Sequence, residues 1–236
     1  MTEGFPLIYH QGVRDTYLSF ILENFQLITS LTDDYEKLDA KTALYKKRAK
    51  SLQIKSLLGI NSEHLIKIVL LKRGYVINNI INENAKFNSF FMQEIEDYNK
   101  NRPNQEKLDG LLQKSLSQIK EFSEKLIKFD KCIKNFKNSN PKDYFKNIKR
   151  ANLNPHPNSD DYKYLGEFEF IDSDNALNVI QKMRNSYVHK AEGNYEKNII
   201  VPYLLNFLVF IAKKEFPECF NSIEKFGNEQ TKNFSP

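Results

Sequence analysis

The chain has 236 residues, 40% of them hydrophobic and 28% charged, so it can bury a core and is not expected to be disordered as a whole. Glycine and proline number only 8 each, which favours a few long helices over many short strands. The net charge of +5 permits a polyanionic partner without requiring one.

Several classes of protein are excluded by what the sequence lacks. The N-terminus has no basic segment followed by an apolar run, so we expect no secretion signal and a cytoplasmic protein. The segment 199–212 is the most apolar, but it is too short to span a bilayer. Cys132 and Cys219 have no metal-ligand neighbours, and no phosphate-binding loop or metalloprotease motif occurs. We therefore expect no metal and no cofactor.

Hydrophobic spacing predicts three helices in the first third of the chain. Apolar residues recur mostly at steps of three and four over 17–28, and this pattern is typical of an amphipathic helix. A second helix is predicted from Ala40 to Leu57, ending at Gly59. A third helix is predicted to begin with a cap at Asn61 and to end at 72–74. It is apolar on nearly every face, so we expect it to be central.

The middle of the chain predicts a loop and two further helices. Residues 77–85 are rich in asparagine and indicate a loop, and a short helix is predicted over 90–98. The segment 101–104 breaks that helix. An apolar stripe then extends from Lys107 to Phe136 and predicts one long central helix.

The last third begins with a segment that is rich in proline and asparagine. We interpret residues 151–174 as an insertion, within which 162–170 alternates as a strand does. Asp172 or Ser173 is predicted to cap a helix over 175–189. A final helix is predicted over 197–215. The sequence thus predicts one all-α domain, residues 1–226, followed by a polar tail, residues 227–236.

A hexapeptide with the pattern R-N-x-x-x-H, residues 184–189, closes the predicted helix 175–189. Arg184 is a permanent cation whose shape matches phosphate, and His189 can exchange protons near neutral pH. In a helix Asn185 and His189 share a face, whereas Arg184 and His189 are about 140° apart. This spacing suits a site shared by two subunits better than a site within one chain. The alternative is a helix-end cation and a capping histidine.

This hexapeptide resembles the signature of the HEPN family, in which an arginine, often a polar residue, three further residues and a histidine end a core helix. The segment 59–74 is also similar to an early core helix of that family, and the resemblance covers about residues 40–75 and 175–216. Glu63 or His64 would correspond to a polar position that some members bring from the early helix. A tyrosine that follows the histidine in one toxin branch is replaced here by Ala191.

The resemblance implies a HEPN-like helical bundle, often dimeric, that cleaves RNA without a metal. His189 would move a proton at the ribose 2′-hydroxyl or at the leaving oxygen, Arg184 would hold the phosphate, and Asn185 would orient the imidazole. It also implies a setting in phage defence or a toxin–antitoxin pair, with an antitoxin or defence partner. Two alternatives remain open: a non-catalytic module that binds RNA, a nucleotide or a protein, and a structural helical partner.

A second candidate surface is the stretch 125–150, which holds nine basic residues against two acidic ones, a local charge of +7 (9 − 2). Its interleaved aromatic residues could stack on bases while the lysines contact phosphates. The alternative is an ordinary solvated helix face. The lysines of the predicted RNA-binding stripe are spaced every three residues: Lys125, Lys128, Lys131, Lys134 and Lys137.

Overall fold

The computed structural model of the protein describes residues 9, 11–39, 43–73, 75–77, 100, 120–122, 129–152, 169–190 and 200–220, and within them the chain is mostly helical. The helices are α1 (Gln11–Lys37), α2 (Leu44–Lys72), α3 (Phe129–Ser139), α4 (Ala176–Lys190), α5 (Ile200–Glu215) and α6 (Pro217–Phe220). The strands are β1 (Tyr75–Ile77), β2 (Lys120–Phe122), β3 (Ala151–Asn152) and β4 (Phe170–Ile171). None of these helices combines the length and apolar content needed to cross a membrane.

The chain divides into two compact units. The first unit comprises Met1–Ser19 and Ile66–Ser139, and the second comprises Phe20–Leu65 and Asn140–Pro236. The interpretation of residues 1–226 as a single domain stays a prediction. The predicted helix 90–98, the break at 101–104 and the tail 227–236 lie outside the described residues, as does the predicted loop 77–85 after Ile77.

The first predicted helix is confirmed, but the next two are one helix. Helix α2 continues from Leu44 to Lys72 through Gly59, and Asn61 is a buried interior residue instead of a cap. Its side-chain amide donates to the carbonyl of Ile21 on α1 at 3.3 Å. The predicted end at Lys72 is confirmed. The break at Gly59 is wrong because this glycine makes room for a neighbouring side chain instead of ending the helix.

The predicted long central helix from Lys107 to Phe136 is also wrong. Strand β2, Lys120–Phe122, interrupts it and pairs in parallel with β1, so that Tyr75 lies opposite Lys120. Hydrogen bonds to a distant strand have overridden the local helical pattern here. The end of the predicted helix is retained as α3, which buries Phe129, Cys132, Ile133 and Phe136 along one face.

The insertion at 151–174 begins and ends in paired strands. Ala151 of β3 lies opposite Ile171 of β4, and Asn152 lies opposite Phe170, in an antiparallel pair. Residues 153–168, with most of the predicted strand 162–170, lie outside the described residues.

A tyrosine of α5 bonds to the main chain just before β3: the Tyr203 hydroxyl donates to the carbonyl of Lys149 at 2.9 Å. Burial, with a smaller contribution from the Asp172 carboxylate, raises the pKa of Tyr203 to about 12, so this donor keeps its proton at neutral pH.

The predicted cap of α4 is confirmed at Asp172. Its carboxylate accepts from the main-chain N–H of Asn175 at 3.0 Å, and the Asn175 side-chain oxygen accepts from the N–H of Asp172 at 3.0 Å. This reciprocal arrangement is a capping box, which satisfies N–H groups that the first turn of a helix leaves unpaired. From this start α4 buries a stripe at helical spacing: Ala176, Leu177, Val179, Ile180 and Met183. The cap and the stripe together fix the rotation of α4 and therefore the direction of Arg184.

Replacing the capping carboxylate tests this account of α4. We expect Asp172→Ala to lower the free energy of unfolding by about 1 kcal/mol, because the N–H groups of Asp174 and Asn175 both lose the carboxylate as their acceptor. Asp172→Asn is the matched control, since it keeps the accepting oxygen and should cost a few tenths of that value. Urea titration followed by circular dichroism provides the measurement, and equal losses in both variants would contradict the capping role.

Candidate functional site

Arg184 crosses the main chain of α2 at Gly59. A Cβ atom placed on Gly59 would lie 2.5, 2.7 and 2.9 Å from the Cβ, Cγ and Cδ atoms of Arg184. Such distances are far below van der Waals contact, so no residue with a side chain fits at position 59 while α4 stays where it is. The glycine therefore sets how closely α4 approaches α2.

The guanidinium of Arg184 continues along α2 to the next helical turn. Its Nη1 atom lies 2.9 Å from Oε2 of Glu63, in an ion pair. Glu63 is four residues after Gly59, and residues at this spacing lie one above the other on a helix. The aliphatic part of Arg184 thus rests on one turn of α2 and its charged end is held on the following turn.

This ion pair lies at the edge of the protein. The side chain of Arg184 is 31% exposed and that of Glu63 is 13% exposed. Partial burial makes the pair stronger than one on the open surface, where such pairs contribute little. The exposed part of the guanidinium can also be reached by a solute, and arginine is the side chain whose planar fork best matches a phosphate. The site consequently combines a fixed cation with access from solvent.

His64 is directed elsewhere. Its Nδ1 atom lies 2.8 Å from the carbonyl oxygen of Ile60, which can only accept, so we assign the proton to Nδ1. The ring also contacts that of Phe20 on α1, with centroids 4.8 Å apart. Of the two auxiliary residues that the sequence suggested, Glu63 is the one that contacts Arg184.

Asn185 and His189 belong to the same helix as Arg184. Asn185 is exposed, whereas the side chain of His189 lies outside the described part of the structure. The main chain of His189 is within α4, so the helical register places its position one turn beyond Asn185 on the same face. Ideal helical geometry separates positions 184 and 189 by about 140° around the axis.

The predicted lysine stripe is described only in part. Lys131 and Lys134 are exposed on α3, Lys137 is half-buried, and Lys125 and Lys128 lie outside the described residues. The three described lysines belong to the first unit, and Arg184 and Glu63 belong to the second.

Burial contradicts the suggestion that the aromatic residues of the stretch 125–150 stack on bases for two of them, whereas Phe145 is half-buried. Phe136 and Tyr144 are buried, and the Tyr144 hydroxyl donates to a carboxylate oxygen of Glu215 at 2.7 Å. Phe145 stacks on Phe207 of α5 with ring centroids 5.3 Å apart. Their spacing reflects packing within the protein, because a surface base cannot reach a buried ring.

Gly59 is the site residue that sequence reasoning misread. A glycine near the end of an apolar run usually marks the end of a helix, and that rule predicted a break here. The opposing signal was the absence of proline, aspartate or a second glycine beside it, since an isolated glycine inside a helical pattern often marks close packing.

Comparisons of the chain with protein-family models, with curated proteins and with solved structures find no match. The resemblance to HEPN domains therefore depends on the hexapeptide and on the segment 59–74. The candidate site depends on the contacts of Arg184 with Gly59 and Glu63. Within the described ranges, no group of three or more histidine, cysteine, aspartate or glutamate side chains is placed to hold a metal ion.

Adding one methyl group at the crossing should destabilise the protein. Alanine is favoured over glycine within a helix by about 1 kcal/mol, yet we expect Gly59→Ala to lower the free energy of unfolding by about 1–3 kcal/mol because α4 must move. Gly12→Ala, at an exposed position of α1, is the control and should be neutral or stabilising. Thermal unfolding compares the two, and a more stable Gly59→Ala protein would refute the close contact.

The ion pair can be measured with a double-mutant cycle of Glu63→Gln and Arg184→Gln. We expect a coupling free energy of about 1 kcal/mol, since the pair is partly buried and its two charges are 2.9 Å apart. A cycle of Lys50→Gln and Asp34→Asn offers the control, because that pair has the same 2.9 Å separation with a more exposed carboxylate. Coupling no larger than in the control pair would mean that Glu63 does not fix the guanidinium.

Proposed function

We propose that the protein is a metal-independent endoribonuclease of the HEPN type with a HEPN-like helical bundle. The observation that carries this proposal is the contact of Arg184 with Glu63 across Gly59. The resemblance implied that a motif arginine on a late helix would work beside a polar residue from an early helix. Those two residues are in contact, although they are 121 positions apart (184 − 63).

Three residues of the hexapeptide, together with Glu63, have roles in this chemistry. His189 takes the proton from a ribose 2′-hydroxyl, whose oxygen attacks the adjacent phosphorus, and the imidazole of a second copy gives a proton to the departing 5′-oxygen, or the two imidazoles exchange these roles. Arg184 binds the phosphate and stabilises the negative charge that accumulates on its oxygens. Glu63 holds the guanidinium in position. Asn185, exposed on the face of His189, orients the imidazole. The products are a 2′,3′-cyclic phosphate and a 5′-hydroxyl, so DNA is not a substrate.

The angle between Arg184 and His189 favours a homodimer. Side chains about 140° apart on one helix do not face one reacting phosphate unless the arginine bends around the axis. Two copies of α4 meeting at a two-fold axis supply the arginine of one chain beside the histidine of the other. In a cell, such a nuclease needs an antitoxin or another defence-system partner to restrain it.

The ion pair also favours a second candidate function. A half-buried arginine that is held by a carboxylate has part of its charge neutralised, which weakens its attraction for phosphate. The same arrangement therefore suits a non-catalytic module, in which Arg184 fixes α4 against α2 and the surface binds RNA, a nucleotide or a protein.

Cleavage of RNA separates the two functions. Purified protein incubated with total RNA and EDTA should cut it, and the ends should carry 2′,3′-cyclic phosphate. We expect His189→Ala to reduce the rate by at least about a hundredfold, because proton transfer is lost. His156→Ala is the matched control, since its histidine belongs to no motif. Arg184→Lys should also reduce the rate, because lysine keeps the charge and loses the planar fork.

Three results would count against the nuclease. They are intact RNA with a dimeric wild-type protein free of any antitoxin, equal activity of His189→Ala and wild type, and loss of cleavage on adding EDTA. RNA binding by a wild-type protein that does not cleave would instead identify the non-catalytic module.

A further inference from the structure

The first half of α2 contains several basic residues and no acidic ones. Between Leu44 and Ser62 the helix contains five lysine and arginine residues and no aspartate or glutamate. The first turn of α2 contains no acidic residue either, so the positive end of the helix dipole adds to the field of these side chains. This segment is therefore a strongly positive part of the second unit, and it lies on a different helix from the hexapeptide.

Three of the five basic residues are buried or contact α1. Lys50 donates to the carboxylate of Asp34 on α1 at 2.9 Å, and this contact keeps the pKa of Asp34 below its usual value. Lys47 lies over the ring of Tyr35 at 4.8 Å, and Lys55 is buried. The remaining two, Lys46 and Arg48, are exposed.

Tyr45, beside Lys46, is 84% exposed. Of the large apolar side chains described as exposed, it has the greatest exposed fraction; the others are Phe20, Leu27, Leu44 and Leu52. An aromatic ring in water gains nothing for the fold, whereas a ring between two cations provides a stacking platform for a base. In the stretch 125–150, by contrast, Phe129, Phe136 and Tyr144 are buried and Phe145 is half-buried.

Tyr45 lies on the same face of α2 as the candidate site. Leu52 and Glu63 follow it at 7 and 18 residues, which is close to whole numbers of helical turns, and Leu52 is also exposed. At a rise of 1.5 Å per residue, Tyr45 and Glu63 are about 27 Å apart along the axis. Lys46 and Arg48 lie on either side of the line that joins them. We call this face, with Tyr45, Lys46, Arg48 and Leu52, the α2 strip.

We propose that the α2 strip binds single-stranded RNA and guides it to Arg184. Tyr45 stacks on an unpaired base, Lys46 and Arg48 contact phosphates on either side, and Leu52 supports the strand toward the ion pair. Because it names the surface that holds the substrate, this inference rests on the proposed nuclease.

The chemistry of the α2 strip favours a single strand over other polyanions. Duplex nucleic acid offers phosphates but hides its base faces, so an exposed ring would add nothing to its binding. An acidic protein segment would also bind lysine and arginine, without needing a planar face. Of these ligands, a single strand is therefore the one that can use the exposed ring of Tyr45.

Binding can be tested with RNA that the protein cannot cut. The probe is a fluorescently labelled single strand of about ten nucleotides, within the range of known site sizes, with every 2′-hydroxyl methylated. Methylation removes the attacking group, so affinity is measured independently of cleavage. Fluorescence anisotropy over a range of salt concentrations gives the affinity and its salt dependence.

Three variants test the α2 strip. We expect Tyr45→Ala to weaken binding about tenfold, the usual effect of losing one stacked base, and Tyr45→Phe to restore it. Lys46→Gln with Arg48→Gln should lower the slope of log affinity against log salt by about 0.7 for each phosphate that the protein no longer neutralises. Lys37→Gln removes an exposed positive charge from the last turn of α1, outside the α2 strip, and should change neither value. All these side chains are exposed, and circular dichroism verifies that the variants fold.

The outcomes separate this inference from the proposed nuclease. RNA cleavage by the wild type, with probe binding unaffected in the α2 variants, would overturn the α2 strip and leave the nuclease in place. Probe binding that depends on the α2 strip, in a protein that does not cut RNA, would support the α2 strip and overturn the nuclease. Equal competition by polyglutamate, or a change of oligomeric state in Tyr45→Ala, would identify an acidic protein or a second copy as the occupant and overturn the assignment to RNA.

Discussion

The crossing of Arg184 over Gly59 is the contact on which the candidate site depends. It joins a packing constraint to an electrostatic one, since the aliphatic part of the side chain needs the absence of a Cβ on α2 and the guanidinium needs the carboxylate of Glu63. Neither constraint alone would fix the side chain. Without the ion pair, the guanidinium could adopt several positions above Gly59, and without the close packing, the ion pair could form in several rotamers of Arg184. Together they hold one cation at a defined place with part of its surface in contact with solvent.

Glu63 has two opposing effects on Arg184, since it holds the guanidinium in place and also competes with a phosphate for it. A carboxylate that orients the guanidinium also attracts it, so any phosphate must bind in the presence of Glu63. A nuclease can use such a pair, because an arginine that is already oriented loses less freedom on binding the transition state than a mobile one. The exposed Asn185, next in sequence, and the exposed side of Arg184 keep this part of the protein accessible.

The charge of α2 serves both the fold and the surface. Lys47 and Lys50 contact α1, and Lys46 and Arg48, from the same short run, are exposed, as is Tyr45. A count of charges along the sequence cannot make this distinction: the stretch 125–150 has the higher net charge, but three of its aromatic residues, Phe129, Phe136 and Tyr144, are buried. A helix face can stack on bases only if an aromatic ring on it is exposed, as that of Tyr45 is, however many lysines surround the ring.

The sequence by itself determined the mostly helical character, the helices α1 and α5, and a cap at the start of α4, because these follow from periodicity and from hydrogen bonds between near neighbours. It also determined that Arg184, Asn185 and His189 share one helix. Only the tertiary structure decided that α2 passes through Gly59, that β2 replaces part of a predicted helix, and that Glu63 contacts Arg184 while His64 contacts Phe20. Each of these depends on a partner distant in the chain, and a local pattern carries no information about which distant residue will supply the missing volume, hydrogen bond or charge.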